Sequence, residues 1–443
     1  MVQTKNSEWK GWELILFRFF FIYFIIQAVP LFDWKFYRNL FSLQSFEYRD
    51  IFVLSRFQPS FLSETAGFAD WGIIALVALV GTIIWNFVDK KSKEYNNLYY
   101  WLRVILRYRL AWGVIAYGFL LFFPMQAPQP SISNLNTNYG DFSDWKLFSL
   151  TLGIVPSYQS FLGFVEILAG TLLLFRRTVL IGLLIILPFL GNIFFSNLAY
   201  EGGEYVYSFY LVAIGVFLLA FDASRLLNLL AFEKPTLPNL FKPAFSENWQ
   251  KNTRIALKAT FFLLFFGWYG FQTFAAYQKG SYHFPEKHGL DGAAGIYHVS
   301  EFKINNRIIT YSKTDPYRWQ DVVFEKWTTL SIKSNRPVTI EKVVTEEIYQ
   351  NDPEKNYEFS GSGGRHYFSY TIDSTRQVLT LQNRNKNHKN EKLTLHYSRP
   401  DNQKIVLQGI NENQDSVYVL LERINKKYLL DEAKKGRSRG LKL

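Results

Sequence analysis

Several ionisable residues fall inside otherwise apolar stretches of this sequence, and chemistry would be sought there first. Arg18 lies about eight residues into Gly11–Pro30, and Arg109 about nine residues into Tyr100–Phe123. Glu166 lies about nine residues before the end of Tyr158–Phe175. In helices rising 1.5 Å per residue, all three sit roughly 12–14 Å from the same bilayer edge. At that shared depth Glu166 could neutralise one or both arginines. Nearer the edge come Glu13, Arg103, Arg107 and Asp222, with Arg103 and Arg107 four apart on one helix face. Such a cluster, with Tyr and Trp around it, could hydrogen-bond and stack a quinone head or line a path for a solute. It could equally lock helices together, with the outer arginines snorkelling to the headgroups. Tyr117, Asn192 and Asn197 form a second polar set towards the opposite face, which hydrogen bonding between helices would explain.

These residues need elements to hold them. A bilayer core takes about 20 apolar residues of helix, and seven stretches approach that length: Gly11–Pro30, Trp71–Val88, Tyr100–Phe123, Tyr158–Phe175, Thr178–Asn197, Tyr207–Ala223 and Ala256–Tyr277. The first is followed by no small-residue cleavage site and reads as a signal anchor. Lys90, Lys91, Lys93, Arg176, Arg177 and the basic residues after Asp222 lie on one side. The loops Pro124–Trp145 and Leu198–Val206 carry acids and no Lys or Arg. The positive-inside rule then puts the N-terminus in the cytoplasm and everything after Tyr277 outside. Gly163 and Gly170, seven apart, should let a neighbouring helix approach closely and bring Glu166 near it. Pro188 interrupts the fifth stretch.

From Gly280 the pattern turns to strands. Thr339–Ile348, Gln377–Gln382, Lys392–Tyr397, Lys404–Gly409 and Ser416–Leu421 are alternating or β-branched runs separated by turn signals such as Asn351-Asp352-Pro353 and Gly361–Gly364. The fold class expected is an all-α polytopic membrane bundle of about seven spans followed by an all-β domain, an antiparallel sandwich or small barrel. The divisions expected are a six-span bundle over 1–230, a cytoplasmic linker over 231–255, a seventh span over 256–277 acting as a tether, and an extracytoplasmic β domain over 278–443.

Composition narrows the chemistry. The 443 residues hold 42 Phe, 27 Tyr and 12 Trp, an aromatic share of 18% that suits hydrocarbon and headgroup levels. There is no Cys, which removes disulfides, thiolate-held clusters and a Cys nucleophile. All six His follow the last apolar stretch, so a haem within the helices would find no imidazole ligand. No metal-ligand spacing and no phosphate loop stands out, and no cofactor is expected apart from a quinone. The net charge of +12 is spread along helix ends and strands, which argues against nucleic acid. The one basic run is the C-terminal tail from Lys434 to Lys442.

Tyr100–Ala231 resembles the DoxX-like membrane proteins, in particular the longer versions found in Bacteroidetes. Tyr100-Trp101-Leu102-Arg103, Arg107-Tyr108, Ala116-Tyr117-Gly118-Phe119 and Tyr139-Gly140-Asp141 carry the likeness. So do Pro156-Ser157-Tyr158, Gly163-Phe164-Val165-Glu166, Phe175-Arg176-Arg177-Thr178, Asn192, Asn197, Tyr200, Asp222 and Arg225. The name-giving relatives are subunits of a thiosulfate:quinone oxidoreductase, so the resemblance implies a membrane component linked to quinone redox chemistry. Three functions follow. The first is a non-catalytic envelope component of the inner membrane whose periplasmic β domain binds a partner or ligand. The second is a quinone-linked subunit of an oxidoreductase, and the third a small-solute transporter. The partners implied are the lipid bilayer and another envelope protein or redox subunit.

Overall fold

The computed structural model describes residues 9–31, 34–41, 47–63, 65–237, 247–280, 282–340, 349 and 351–431. Residues 341–348 of the expected strand Thr339–Ile348, residues 238–246 of the linker and the basic C-terminal run lie outside the described residues. The chain folds as two compact units. One comprises 1–123, 160–199 and 204–275, the other 124–159, 200–203 and 276–443.

The first unit is helical. Its elements are α1 (Gly11–Ala28), α2 (Trp34–Phe41), α3 (Tyr48–Ser55), α4 (Phe68–Val88) and α5 (Asn96–Phe122). The short α6 (Ile132–Leu135) and α7 (Asp144–Ile154) belong to the other unit, and α8 (Pro156–Leu173) returns the chain to the first. There follow α9 (Val179–Ala199), α10 (Tyr205–Ala220), α11 (Ala223–Leu230), α12 (Asn248–Phe262) and α13 (Gly270–Lys279), with a π-helical turn Leu263–Tyr269 joining the last two. Among the described residues, five helices are long and apolar enough to cross a membrane: α1, α4, α5, α9 and the continuous stretch Asn248–Lys279. Counting the bent pairs α7–α8 and α10–α11 as one span each raises the number to seven.

The most buried of these helices is α5: Leu102, Leu106, Leu110, Ala111, Val114, Ile115 and Ala116 lose nearly all their surface. In contrast, α4 exposes Leu76, Val80, Ile84 and Phe87, an apolar face suited to acyl chains. The last span is more than a tether. Tyr269 donates to the Ala116 carbonyl at 2.7 Å, and Gly270 lies against the Phe119 ring. Pro188 is accommodated inside an unbroken α9.

Close approach of α5 and α8 depends on glycine. A Cβ on Gly163 would stand 2.2 Å from the Phe122 nitrogen and 2.5 Å from the Gly118 carbonyl oxygen. A Cβ on Gly118 would in turn meet the Glu166 Cβ at 3.1 Å, so the glycine seam does bring Glu166 up to α5.

The second unit is built on a closed antiparallel barrel. Its strands are β1 (Gly295–Ile304), β2 (Arg307–Ile308), β3 (Asp321–Phe324), β4 (Thr329–Lys333), β5 (His366–Asp373), β6 (Val378–Asn383), β7 (Lys392–Asp401), β8 (Lys404–Ile410) and β9 (Ser416–Arg423). Neighbours from β3 to β9 pair in sequence, β1 pairs with both β3 and β9, and β2 extends one end of β1. Eight strands therefore close on themselves, which resolves the sandwich-or-barrel alternative for the barrel and leaves the eight without a free edge. Gly409 is required by this geometry, because a Cβ there would fall 1.9 Å from the Thr394 carbonyl oxygen.

The barrel interior is filled. Tyr297, Phe302, Phe324, Phe368 and Tyr370 pack with Leu379, Leu381, Leu395, Leu407 and Leu421, all buried. The segment from Pro124 to Gln159 is part of the same unit. Ser143 donates its backbone N–H to the Gly361 carbonyl at 2.8 Å, and Gly363 donates to the Asp141 carbonyl at 2.7 Å.

Candidate functional site

The residues singled out by depth disperse into separate environments. Arg18 is buried and bound by three neighbours, Asn86 of α4 and Asp89 and Tyr95 on the α4–α5 connection. It donates to the Tyr95 hydroxyl at 2.7 and 3.0 Å, to Asn86 Oδ1 at 2.5 Å and to the Asp89 carbonyl at 2.8 Å. The Tyr95 hydroxyl in turn donates a hydrogen bond to Asp89 Oδ2 at 2.7 Å, so a carboxylate backs the network. These bonds tie α1 to α4 and α5, a structural lock.

Arg109 lies elsewhere. Its guanidinium donates to the Phe57 carbonyl at 2.5 Å and stands 5.2 Å from the Tyr210 ring centroid. The bonds of Arg18 and Arg109 described here run to hydroxyl, amide and carbonyl partners.

The second polar set converges only in part. Tyr117 donates to Glu204 at 3.2 Å, and Asn197 Oδ1 accepts from the Glu204 backbone at 3.3 Å. Glu204 also forms an ion pair with Arg56. Asn192 is exposed on α9 and takes no part. Arg56 and Glu204 were not singled out from sequence, since both lie in connections rather than apolar stretches.

Arg103, Arg107 and Asp222 are brought together. They line a cavity of about 210 Å³ with Arg176 and Arg177 from the α8–α9 turn and Arg225 from α11. Five guanidinium groups thus face one carboxylate. Asp222 is 3.5 Å from Arg225. The Arg103 guanidinium carbon lies over the Phe221 ring at 3.2 Å from its centroid, with the Tyr99 centroid at 5.0 Å. The arrangement is positively charged and walled on one side by Val179, Leu180 and Ile181. Guanidinium groups so placed are chemically suited to an anion.

A second buried charged group lies in the barrel unit. Glu325, just past β3, accepts from the Ser133 N–H and hydroxyl, each at 2.6 Å, and from the Ile132 N–H at 3.2 Å. Arg384 pairs with Glu358 at 2.9 Å, both side chains almost fully buried. Lys146 of α7 donates to the Tyr357 carbonyl and lies 3.9 Å from that ring's centroid. Burial, with Glu358 nearby, pushes the Glu325 carboxyl up to about 7. Burial brings Lys146 down to about 7 against the pull of Glu358. His283, also buried, is held down at about 4. This seam joins the segment 131–149 to the barrel, and its groups are engaged with one another rather than with open space.

Comparison with protein-family models, curated proteins and solved structures gives no match for this chain.

Proposed function

We propose that the chain is a non-catalytic envelope component. In this reading its helical unit anchors it in the cytoplasmic membrane with the N-terminus inside, and the outer surface of the barrel serves a partner or ligand on the far side. The observation that carries the reading is the filled barrel. An eight-stranded barrel is just wide enough either to be packed by side chains or to hold one small ligand, and Tyr297, Phe302, Phe324 and Phe368 occupy the space a ligand would need. Recognition by this unit therefore falls to its outside. The buried seam supports the same reading, because bonds from Glu325 and Lys146 build the segment between two helices into the barrel unit. The quinone-linked alternative rests on the DoxX-like resemblance and on charged residues among aromatics within the helices, and the guanidinium-lined cavity suits an anion better than a neutral quinone head.

The test is photo-crosslinking in living cells from single positions on the barrel exterior. Ile308, Tyr311, Tyr317 and Ile410 are exposed starting points, and Phe368 in the interior is the control. The proposal expects adjoining exterior positions to give one discrete protein or ligand adduct. Adducts to lipid only, from every exterior position, would remove the barrel's role as a platform.

A further inference from the structure

We propose that the arginine-lined cavity of the helical unit binds a phosphate-bearing anion, presented either by an anionic phospholipid headgroup or by free phosphate. The inference stands apart from the role of the barrel.

Three observations support it. Arg103, Arg107, Arg176, Arg177 and Arg225 converge from α5, the α8–α9 turn and α11 on one space, with Asp222 as the single acidic lining residue. The lining thus carries five guanidinium groups and one carboxylate, an excess of positive charge. Like charges held this close in a partly apolar wall repel one another unless an anion sits among them.

Secondly, the Nε atoms of Arg103 and Arg107 are buried and donate to no acceptor. A buried donor left unpaired costs free energy that an added acceptor recovers. The Phe221 and Tyr99 ring centroids lie 3.2 and 5.0 Å from the Arg103 guanidinium carbon, and the rings hold the group by cation–π contact. Planar forks of this kind match phosphate oxygens two at a time.

Thirdly, the size fits. At about 210 Å³ the cavity falls below the roughly 300–1,000 Å³ typical of sites for drug-sized molecules, and suits a headgroup-sized anion. The apolar wall from Val179 to Ile181 would lie beside the first acyl carbons of a lipid. Charge asymmetry of the loops would place this end of the bundle at the cytoplasmic leaflet, where basic pockets between helices meet anionic headgroups.

The experiment uses the full chain in nanodiscs of phosphatidylcholine, with or without phosphatidylglycerol. Retained phospholipid is counted by native mass spectrometry, and inorganic phosphate is titrated by thermal shift. Arg103→Gln/Arg107→Gln is compared with wild type. Lys90→Gln/Lys91→Gln, at two exposed lysines outside the cavity, controls for general surface charge. The proposal expects wild type to retain phosphatidylglycerol or to bind phosphate. It expects the arginine pair variant to weaken that binding at least about tenfold and the lysine variant to leave it unchanged. Retained phosphatidylglycerol identifies a headgroup; phosphate binding indifferent to phosphatidylglycerol identifies the free anion. Should the first variant not fold, Arg176→Gln/Arg177→Gln at the exposed turn gives the same reading. Binding of neither anion by wild type, or equal binding by wild type and the arginine variants, overturns the proposal. So does an equal loss in the lysine variant.

Discussion

Replacing Glu358 by Gln removes the carboxylate beside Arg384 at the heart of the barrel unit. The two side chains are 1% and 3% exposed and 2.9 Å apart. At that separation, with an effective dielectric near 20, their attraction is roughly 6 kcal/mol. The guanidinium keeps bonds to the Thr329 hydroxyl at 3.0 Å and to the Lys355 carbonyl, so it stays solvated in part by the protein. Breaking a buried pair by removing one partner typically costs about 3–5 kcal/mol. At about 2–4 °C per kcal/mol for a domain of 150–250 residues, the barrel should melt roughly 6–20 °C lower. The assay is thermal unfolding of the full chain, followed by the β-structure component of its infrared amide band. Glu325 should soften the loss. Its carboxyl is raised in part by Glu358, so neutralising Glu358 lets Glu325 ionise and supply some of the missing charge. Glu325→Gln/Glu358→Gln should therefore cost more than the sum of the single changes. A melt for Glu358→Gln within 2 °C of wild type, or strict additivity in the double variant, would refute this account of the seam.

Other expectations follow from the same contacts. Because folding raises the Glu325 carboxyl from 4.5 to about 7, the folded chain holds a proton that the unfolded chain releases between those values, and this residue's contribution to stability falls as pH rises through that window. Glu325→Gln should remove that slope, read as the difference between the wild-type and variant melts at each pH. Gly163→Ala places a methyl against the backbone of α5 and should cost about 1–3 kcal/mol. Gly170→Ala crowds the Ile115 side chain at 2.6 Å and meets backbone, the Ala111 carbonyl, only at an ordinary 3.5 Å, and should cost less, both read as thermal midpoints in detergent. Arg18→Met removes the donors that reach Asn86, Asp89 and Tyr95, and should lower yield from membranes and the melting of the helices while leaving the barrel's β signal unchanged.

How far the sequence disclosed this molecule depends on which contacts a residue makes. The strands β6 to β9 were visible because one face of each is buried and the other is not; β6 and β9 alternate residue by residue. β3 and β4 were not visible. Val322, Val323 and Phe324 are buried in succession, as are Thr329 to Ile332. One face of β4 meets the barrel core, and the other meets the segment after Pro124, where Ser331 bonds Ser133 at 2.8 Å. That cover comes from about 200 positions earlier in the chain, and no local pattern records it. The apolar spans were legible for the opposite reason, since lipid exposure needs no partner. Within the helices, depth could be counted from residue number but direction could not. Arg18 reaches Asn86, Asp89 and Tyr95, and Arg109 reaches the Phe57 carbonyl, partners that counting along a helix does not reveal. The cavity shows both sides of this. Arg103, Arg107 and Asp222 stood out as charges in apolar runs, whereas Arg176, Arg177 and Arg225 read only as marks of orientation until the helices brought them together.

Sidedness is the premise on which both proposals meet, the barrel's surface on one face of the membrane and the arginine cavity on the other. The chain contains no cysteine, so single cysteines can be introduced without background and labelled with a membrane-impermeant maleimide. The account expects Tyr317→Cys on the barrel to label in cells whose inner membrane is intact, and Lys90→Cys beyond α4 to label only after that membrane is broken. Labelling of Lys90→Cys in intact cells, with Tyr317→Cys protected until lysis, would contradict it.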